Sequence, residues 1–345
     1  MKRLSDSELP ELEKTLAEAG ERAFRAKQVF EWTLKKGVFD PAAMTNLSAD
    51  LRKLLADLFP TPPLAIDRLS ESADGTDKIL FRLADQKLVE SVLIPTPERT
   101  TVCLSSQVGC AVRCRFCASG IDGGKRNLSS GEIVEQFMLT RRHAESKGRR
   151  ITNIVMMGMG EPMFNYENVF AALGTINSPA GPNLGARRIT VSTVGIRKGV
   201  ERFTAAKTQY TLAFSLHAPN DEIRRALVPL ESAMSVDEIA AWATKYLETT
   251  GREVTWEYVL LDGVNAEIAH ARELARRFRG IRGTANLIPY NPIPELAYAR
   301  PSDAKVDAFA RELEKHGMKV SVRRRRGADI AAACGQLALK AARDR

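Results

Sequence analysis

The sequence has 345 residues, of which 44% are hydrophobic and 27% are charged, an ordinary composition for a folded protein with a sizeable core. No apolar run approaches the roughly 20 residues of a membrane helix, and the charged, amphipathic N-terminus lacks the apolar stretch of a secretory signal. These features argue against a membrane or secreted protein and predict a cytoplasmic one. The formal net charge is +9, and residues 311–345 hold ten Lys or Arg against four Asp or Glu.

The first part of the chain is predicted to be helical. Apolar residues recur at helical spacing in three segments, which end at Gly20, at Gly37 and at the proline-rich stretch 60–64. Residues 77–95 then read as two strands around a turn near Asp85. We expect residues 1–95 to form an accessory domain of helices followed by a β-hairpin, residues 96–335 to form the core domain, and residues 336–345 to form a basic tail.

From about residue 98 onward, strand-like apolar runs alternate with helical segments, which indicates parallel strands in an α/β layered or barrel architecture. A doubly wound sheet is not excluded by the pattern. Several of these strands end in polar residues, which either form turns or share a ligand site at the carboxyl edge of the sheet. These polar residues are Ser105, Ser106, Glu161, Ser192, Ser215, His217 and Asn291.

Three of the five cysteines stand close together in "GCAVRCRFCASG", residues 109–120, as Cys110, Cys114 and Cys117. A structural zinc site takes four protein ligands and usually adds a second pair, which this chain lacks. An iron–sulfur cluster of the [4Fe–4S] type normally takes four thiolates. With three, one iron keeps an open position for a substrate or cofactor, so the spacing indicates chemistry at the cluster.

The C-x3-C-x-aromatic-C pattern, with Phe116 as the aromatic residue, resembles the signature of radical S-adenosylmethionine (radical SAM) enzymes. Further segments resemble motifs of the RlmN/Cfr family of rRNA adenine methyltransferases, over about residues 70–340. They are "MMGMGEP" (156–162), "AFSLHAPND" (213–221), "LIPYNP" (287–292) and "DIAAACGQL" (329–337). The sequence departs from the family's pattern at Ala328 and Ala331, where acidic residues are common. The resemblance implies a partial (β/α)6-type barrel with a small N-terminal, mainly helical accessory domain.

The resemblance also implies two cofactors and the residues that hold them. A [4Fe–4S] cluster would be bound by Cys110, Cys114 and Cys117. S-adenosylmethionine (SAM) would be bound by Gly160, Glu161, Ser192, Ser215, Leu216, His217 and Asn291.

Three further residues carry the family's chemistry. Cys334 would accept a methyl group from SAM, and this methyl carbon would then be joined to an adenine ring carbon. Cys103 would release the product by forming a disulfide bond with Cys334. Glu90 would accept a proton, although a glutamate exposed at a sheet edge is the alternative for that position.

The implied substrate is an adenosine in 23S rRNA, with the adenosine beside the anticodon of some tRNAs as a second substrate, methylated at C2. The run Arg323–Arg326 would contact RNA phosphates, and an external electron donor such as flavodoxin would serve a monomeric enzyme. Three alternatives stay open: a Cfr-type C8 methyltransferase, a radical SAM enzyme with a non-RNA substrate, and a zinc-stabilised RNA-binding module without catalysis.

Overall fold

The structure, a computed structural model, describes residues 3–323 and 325–337. Arg324, within the arginine run, and residues 338–345, in the predicted basic tail, lie outside the described residues. None of the helices in the described part is long and apolar enough to cross a membrane.

The N-terminal part forms the three helices that its apolar spacing predicts. They are α1 (Leu9–Glu18), α2 (Phe24–Phe30) and α3 (Ala49–Leu58), with short helical turns at Leu4–Asp6, Glu31–Lys35 and Pro41–Ala43. The Ser48 hydroxyl caps α3 by accepting a hydrogen bond from the backbone N–H of Leu51. The apolar faces pack into a separate small core, which includes Leu12, Val29 and Leu55.

Three antiparallel strands follow, namely β1 (Ala65–Glu71), β2 (Asp77–Arg82) and β3 (Leu88–Pro95). β2 and β3 are the predicted hairpin, whereas β1 is not expected from the sequence because its side chains are mostly exposed. β3 also pairs with β4 (Thr100–Cys103), so the hydrogen-bonded sheet runs through the boundary predicted at residue 95. The division into domains stays a prediction.

Seven parallel strands make up the rest of a ten-stranded sheet. After β4 they are β7 (Asn153–Met156), β8 (Ile189–Thr193), β9 (Thr211–Ser215), β10 (Val254–Leu260), β11 (Gly283–Pro289) and β12 (Lys319–Val322). A short pair, β5 (Gln107–Val108) and β6 (Arg126–Asn127), stands apart. The helices between the parallel strands are α4 (Ser130–Ser146), α5 (Tyr166–Asn177), α6 (Arg197–Ala205), α7 (Asp221–Leu227), α8 (Val236–Thr250), α9 (Ile268–Arg277) and α10 (Asp303–Lys315).

The parallel strands lie side by side in chain order, from β4 to β12. A doubly wound sheet reverses its strand order at a switch point, so this order decides for the partial barrel. Large side chains fill the core between sheet and helices, among them Trp256, Tyr246 and Phe214. The carboxyl ends of all seven strands therefore point to one rim, where the predicted site residues lie.

Candidate active site

One cavity at this rim gathers most of the residues that the sequence predicts for the site. It is lined by Cys110, Cys114, Cys117, Gly160, Glu161, Ser192, Ser215, His217 and Cys334. Leu216 and Asn291 are buried beside it. Asn291 Nδ2 donates a hydrogen bond to the backbone oxygen of Cys334 over 3.1 Å, and so connects the end of β11 to the segment that carries Cys334.

The three-cysteine loop connects β5 to β6, whose antiparallel pairing closes it. At Gly109 the backbone has a φ of 73°, and a Cβ there would lie 2.0 Å from the oxygen of Gly123, so only glycine fits. Burial raises the pKa of all three thiols, that of Cys110 to about 12. A buried thiolate is poorly solvated, so ionising these thiols costs free energy. Bonding of the thiolates to a metal centre offsets that cost.

A second group of possible metal ligands lies away from the three-cysteine loop. Among the described residues, the one group of at least three ligand atoms that all lie within 4.8 Å of one another is Glu71, Asp77 and His143. Lys147 already supplies a cation there, because its Nζ lies 2.7 Å from Glu71 and 3.0 Å from Asp77. The three cysteines therefore remain the candidate cofactor ligands at the rim. Three thiolates leave one iron of a [4Fe–4S] cluster open, whereas a structural zinc site takes four protein ligands.

The segment after β7 places Gly160 and Glu161 against the loop after β4. Gly160 has a φ of 105°, and a Cβ there would lie 2.7 Å from Gln107 N. The Glu161 carboxylate accepts backbone N–H bonds from Met163 (3.0 Å) and Val194 (2.9 Å), which join the loops after β7 and β8. Burial raises the pKa of Glu161 to about 7.

Serine and histidine side chains continue the wall of the cavity across β8 and β9. Ser192 Oγ and Ser215 Oγ are 3.0 Å apart and share a hydrogen bond. The ring of His217 meets that of Phe116 edge to face, with 4.8 Å between centroids. This contact fixes the aromatic residue of the cysteine motif against the wall.

Arg224 is a structural residue of the site that the sequence did not reveal. It is buried in α7, and its guanidinium donates to the backbone oxygens of Met234, Ser215, Leu216 and Val194. These bonds hold together the ends of β8 and β9. The nearest signal in the sequence, an arginine in an amphipathic helix, is too common to single it out.

The arginine run is divided between different roles, which corrects the expectation that all of it faces RNA. Arg323 follows β12 directly, and its Nη1 lies 3.1 Å from Cys334 Sγ and 3.9 Å from Met157 Sδ. Arg326 donates to the backbone oxygen of Asp74. Of the described arginines in the run, Arg325 is the exposed one.

Arg323 interacts electrostatically with both cysteines that lie outside the three-cysteine loop. Both are free in the structure, with Cys103 buried at the end of β4 and Cys334 exposed. Burial, followed by the charge of Cys334, raises the pKa of Cys103 to about 12, although Arg323 acts to lower it. The disulfide between them stays a prediction.

Glu90 is buried on β3, as expected, and does not belong to the residues that line the cavity in the described part of the chain. Its Oε1 lies 3.3 Å from Lys78 Nζ, and this lysine also donates to the backbone oxygen of Ala331 in the Cys334 segment. The carboxylate is thus connected to that segment through Lys78. Its role as proton acceptor stays a prediction.

Several buried polar atoms around the cavity have no hydrogen-bond partner among the described residues. They are Glu257 Oε2, Asn291 Oδ1, Ser106 Oγ and the Tyr290 hydroxyl. Buried polar atoms are almost always paired in folded proteins. Their concentration beside one cavity fits a polar ligand with hydroxyl, amine or amide groups, as a nucleoside-containing cofactor such as SAM has.

Family models match both parts of the chain. Residues 3–60 match the ribosomal RNA large subunit methyltransferase N-terminal domain. Residues 104–275 match the radical SAM superfamily. The two matches cover the helical N-terminal part and most of the parallel strands.

Whole-length relatives agree with these matches. The chain is 45% identical over 339 residues to the probable dual-specificity RNA methyltransferase RlmN of Symbiobacterium thermophilum, covering 97% of this chain and 91% of that protein. It is 44% identical to the RlmN protein of Bacillus licheniformis over 96% of this chain and 92% of that protein. The crystal structure of a radical SAM methyltransferase from Sphaerobacter thermophilus superposes with a TM-score of 0.94 at 47% identity, covering 97% of this chain and 99% of that one.

Proposed function

The chain belongs to the RlmN family of radical SAM RNA methyltransferases, and from this premise we propose that it methylates C2 of adenosine in 23S rRNA and in a set of tRNAs. The observation that carries the proposal is the cavity lined by the three cysteines, by five of the seven predicted SAM residues and by Cys334. An RNA-binding module without catalysis has no need for this convergence.

The family's cofactors are a [4Fe–4S] cluster and SAM, and the residues present fit both. Cys110, Cys114 and Cys117 would hold the cluster. Gly160, Glu161, Ser192, Ser215, Leu216, His217 and Asn291 would hold SAM. When bound, the two cofactors supply a methyl group and the one-electron chemistry that attaches a carbon to an electron-poor ring position.

The protein's own residues then do three things. Cys334 accepts a methyl group on its sulfur and presents that carbon to the adenine. Glu90, which Lys78 connects to the Cys334 segment, accepts a proton from the reacting carbon. Cys103 attacks the sulfur of Cys334 to release the product, for which its buried thiol must first lose its proton; the charge of Arg323 favours that loss.

The partners follow from the same chemistry. A base in structured RNA must be unstacked to reach a recessed site, which costs a few kcal/mol. Contacts between the protein and the RNA phosphate backbone offset this cost. Exposed Arg325, beside the Cys334 segment, would supply part of them. We propose a one-electron donor such as flavodoxin as the reductant, a monomeric enzyme, and the cytoplasm as its location.

Nucleoside analysis of RNA treated with anaerobically reconstituted enzyme tests the proposal. We expect 2-methyladenosine in rRNA and tRNA transcripts, and none with Cys334→Ser or Cys114→Ser. Cys114→Ser should lose iron, whereas Cys334→Ser should keep it. Methylation at C8 would make the enzyme Cfr-type, and full modification by Cys334→Ser would remove the methyl-cysteine route.

A further inference from the structure

Arg323 comes from a fixed part of the fold, although the sequence places it in a basic run. Its backbone N–H donates to the oxygen of Leu287 over 2.8 Å, which continues the pairing of β11 with β12. Its guanidinium reaches the cavity wall, 3.1 Å from Cys334 Sγ. A fixed donor therefore meets a sulfur that belongs to an irregular segment.

The segment that carries Cys334 is anchored through its backbone. Gly327 N–H donates to Asp74 Oδ2 over 2.9 Å, and Ala118 N–H donates to the oxygen of Gly335 over 2.8 Å. These bonds hold the main chain near the hairpin and the three-cysteine loop. They leave the direction of the Cys334 side chain to its contact with Arg323, because Cys334 itself is exposed.

Three acidic side chains interact electrostatically with the guanidinium of Arg323. The interaction with Cys334 contributes most to raising the pKa of Arg323 above its usual value, and Glu257 and Cys103 act in the same direction. Glu257 is buried in the same cavity wall; Oε1 accepts from Asn286 Nδ2 over 2.9 Å, and Oε2 has no partner among the described residues. Arg323 thus donates to two sulfurs, Cys334 Sγ and Met157 Sδ, while the charge of the Glu257 carboxylate also acts on its guanidinium.

We propose that Arg323 is the positioning residue for Cys334: it holds the sulfur in the cavity until the sulfur carries a methyl group, and then releases it. The proposal rests on the proposed function. In the methylation step the Cys334 sulfur, its proton lost to solvent, forms a bond to the methyl carbon of SAM. The bond from that carbon to the SAM sulfur breaks, and its electron pair stays on that sulfur.

The release follows from the change in the acceptor. A thiolate accepts a charge-assisted hydrogen bond strongly, whereas a thioether sulfur accepts one weakly. After methylation, the Glu257 carboxylate, whose charge already acts on the guanidinium, competes more strongly for it. The methylated side chain of Cys334 is then free to turn toward the RNA base.

Methylation of Cys334 in the absence of RNA tests the positioning. The cluster-loaded enzyme receives SAM, and the peptide containing Cys334 is analysed for one added methyl group. We expect Arg323→Gln to lower the maximal rate about tenfold or more, as the loss of a hydrogen bond between charged groups does, without changing the SAM concentration for half-maximal rate. Arg323→Lys should recover most of the rate, and Arg311→Gln, on the exposed face of α10, should match the wild type.

Labelling of Cys334 by iodoacetamide without SAM gives a second reading. The sulfur displaces iodide and the thiol proton goes to buffer, so a nearby guanidinium speeds the reaction. We expect Arg323→Gln to label about tenfold more slowly than wild type and Arg311→Gln at the wild-type rate. Equal rates for the two variants in both assays, or faster labelling of Arg323→Gln, would overturn the proposal. If wild-type Cys334 gains no methyl group while the labelling difference persists, the proposed function fails and the positioning contact stands.

Discussion

The backbone N–H of Val259 donates a hydrogen bond to Nδ1 of His217 over 3.1 Å. Nδ1 is the acceptor, so the neutral ring carries its proton on Nε2. Burial, together with the charge of Arg224, lowers the pKa of His217 to about 3. The ring is therefore neutral at physiological pH, and its Nε2–H is a hydrogen-bond donor at the cavity wall.

This pairing predicts a pH dependence of stability. Below about pH 6.5 the unfolded chain protonates His217, whereas the folded chain does so only near pH 3. The unfolded state thus binds more protons in that interval, and the free energy of unfolding falls as the pH falls. From about pH 7.5 to about pH 5, urea unfolding should show wild type losing about 2 kcal/mol more than His217→Gln. Equal losses in the two proteins would contradict the neutral histidine.

Arg224→Met should destabilise the protein markedly. The substitution leaves four backbone oxygens without their donor, and the loss of one partner from a buried charged network costs about 3 kcal/mol or more. Denaturant unfolding of the cluster-free protein measures it. Arg225→Met, one residue along α7 and exposed, is the control, and a similar loss in both variants would show that the network contributes little.

Gly160→Ala should impair folding and SAM binding together. Its Cβ would lie 2.7 Å from atoms of Gln107 and Ser106, at a φ of 105° that other residues rarely adopt. Gly174→Ala is the matched control, because its Cβ meets nothing within 4 Å and it lies inside α5. This control should stabilise the protein by about 0.5–1 kcal/mol. Equilibrium dialysis with SAM and thermal unfolding separate the two variants, and normal SAM binding by Gly160→Ala would refute the close approach.

Glu90→Gln should leave SAM cleavage intact and slow the formation of methylated RNA by about a hundredfold, a common size for the loss of a general base. Lys78→Met breaks the same ion pair from its other side, so it isolates the structural effect. Quantification of 5′-deoxyadenosine and of methyladenosine in parallel reports both steps. If the two variants slow product formation equally, or Glu90→Gln leaves it unchanged, Glu90 is not the proton acceptor.

Arg325→Glu should weaken RNA binding and reduce its dependence on salt concentration, because each phosphate contact releases counterions. SAM cleavage should stay unchanged. Filter binding at several salt concentrations measures the effect, with Arg311→Glu as an equal change of charge on α10. RNA affinity equal to that of wild type at low salt would separate the arginine run from substrate recognition.

Much of the fold is accessible from the sequence because its signals are local. The parallel strands and most of their helices appear where alternation predicts them, although α6 and α7 are not predicted, and Ser48, Gly20 and Gly37 end or cap helices through local chemistry. β1 is missed because its largely exposed side chains carry no apolar alternation. The strand order is also inaccessible from the pattern, since it depends on which strands pair across the sheet.

The site residues likewise divide into those with a local signal in the sequence and those without one. The cysteine spacing and the polar residues at strand ends predict Cys110, Glu161 and Ser192 correctly as neighbours in one cavity. Arg224 and Glu257 are missed because an arginine in a helix and a glutamate in a strand have no local signature. Arg323 is assigned to the wrong surface, since a run of four arginines hides the fact that the first one still belongs to the edge of the sheet.

Cys103 ends the first parallel strand of the barrel, and Cys334 follows the last one. A chain emerging from the ribosome can therefore form the three-cysteine loop and most of the cavity wall before Cys334 has been synthesised. Contacts between such distant parts of a chain form late in folding. Docking of the final segment thus completes the cavity, and under the proposed function a nascent chain without that segment has no sulfur to accept the methyl group.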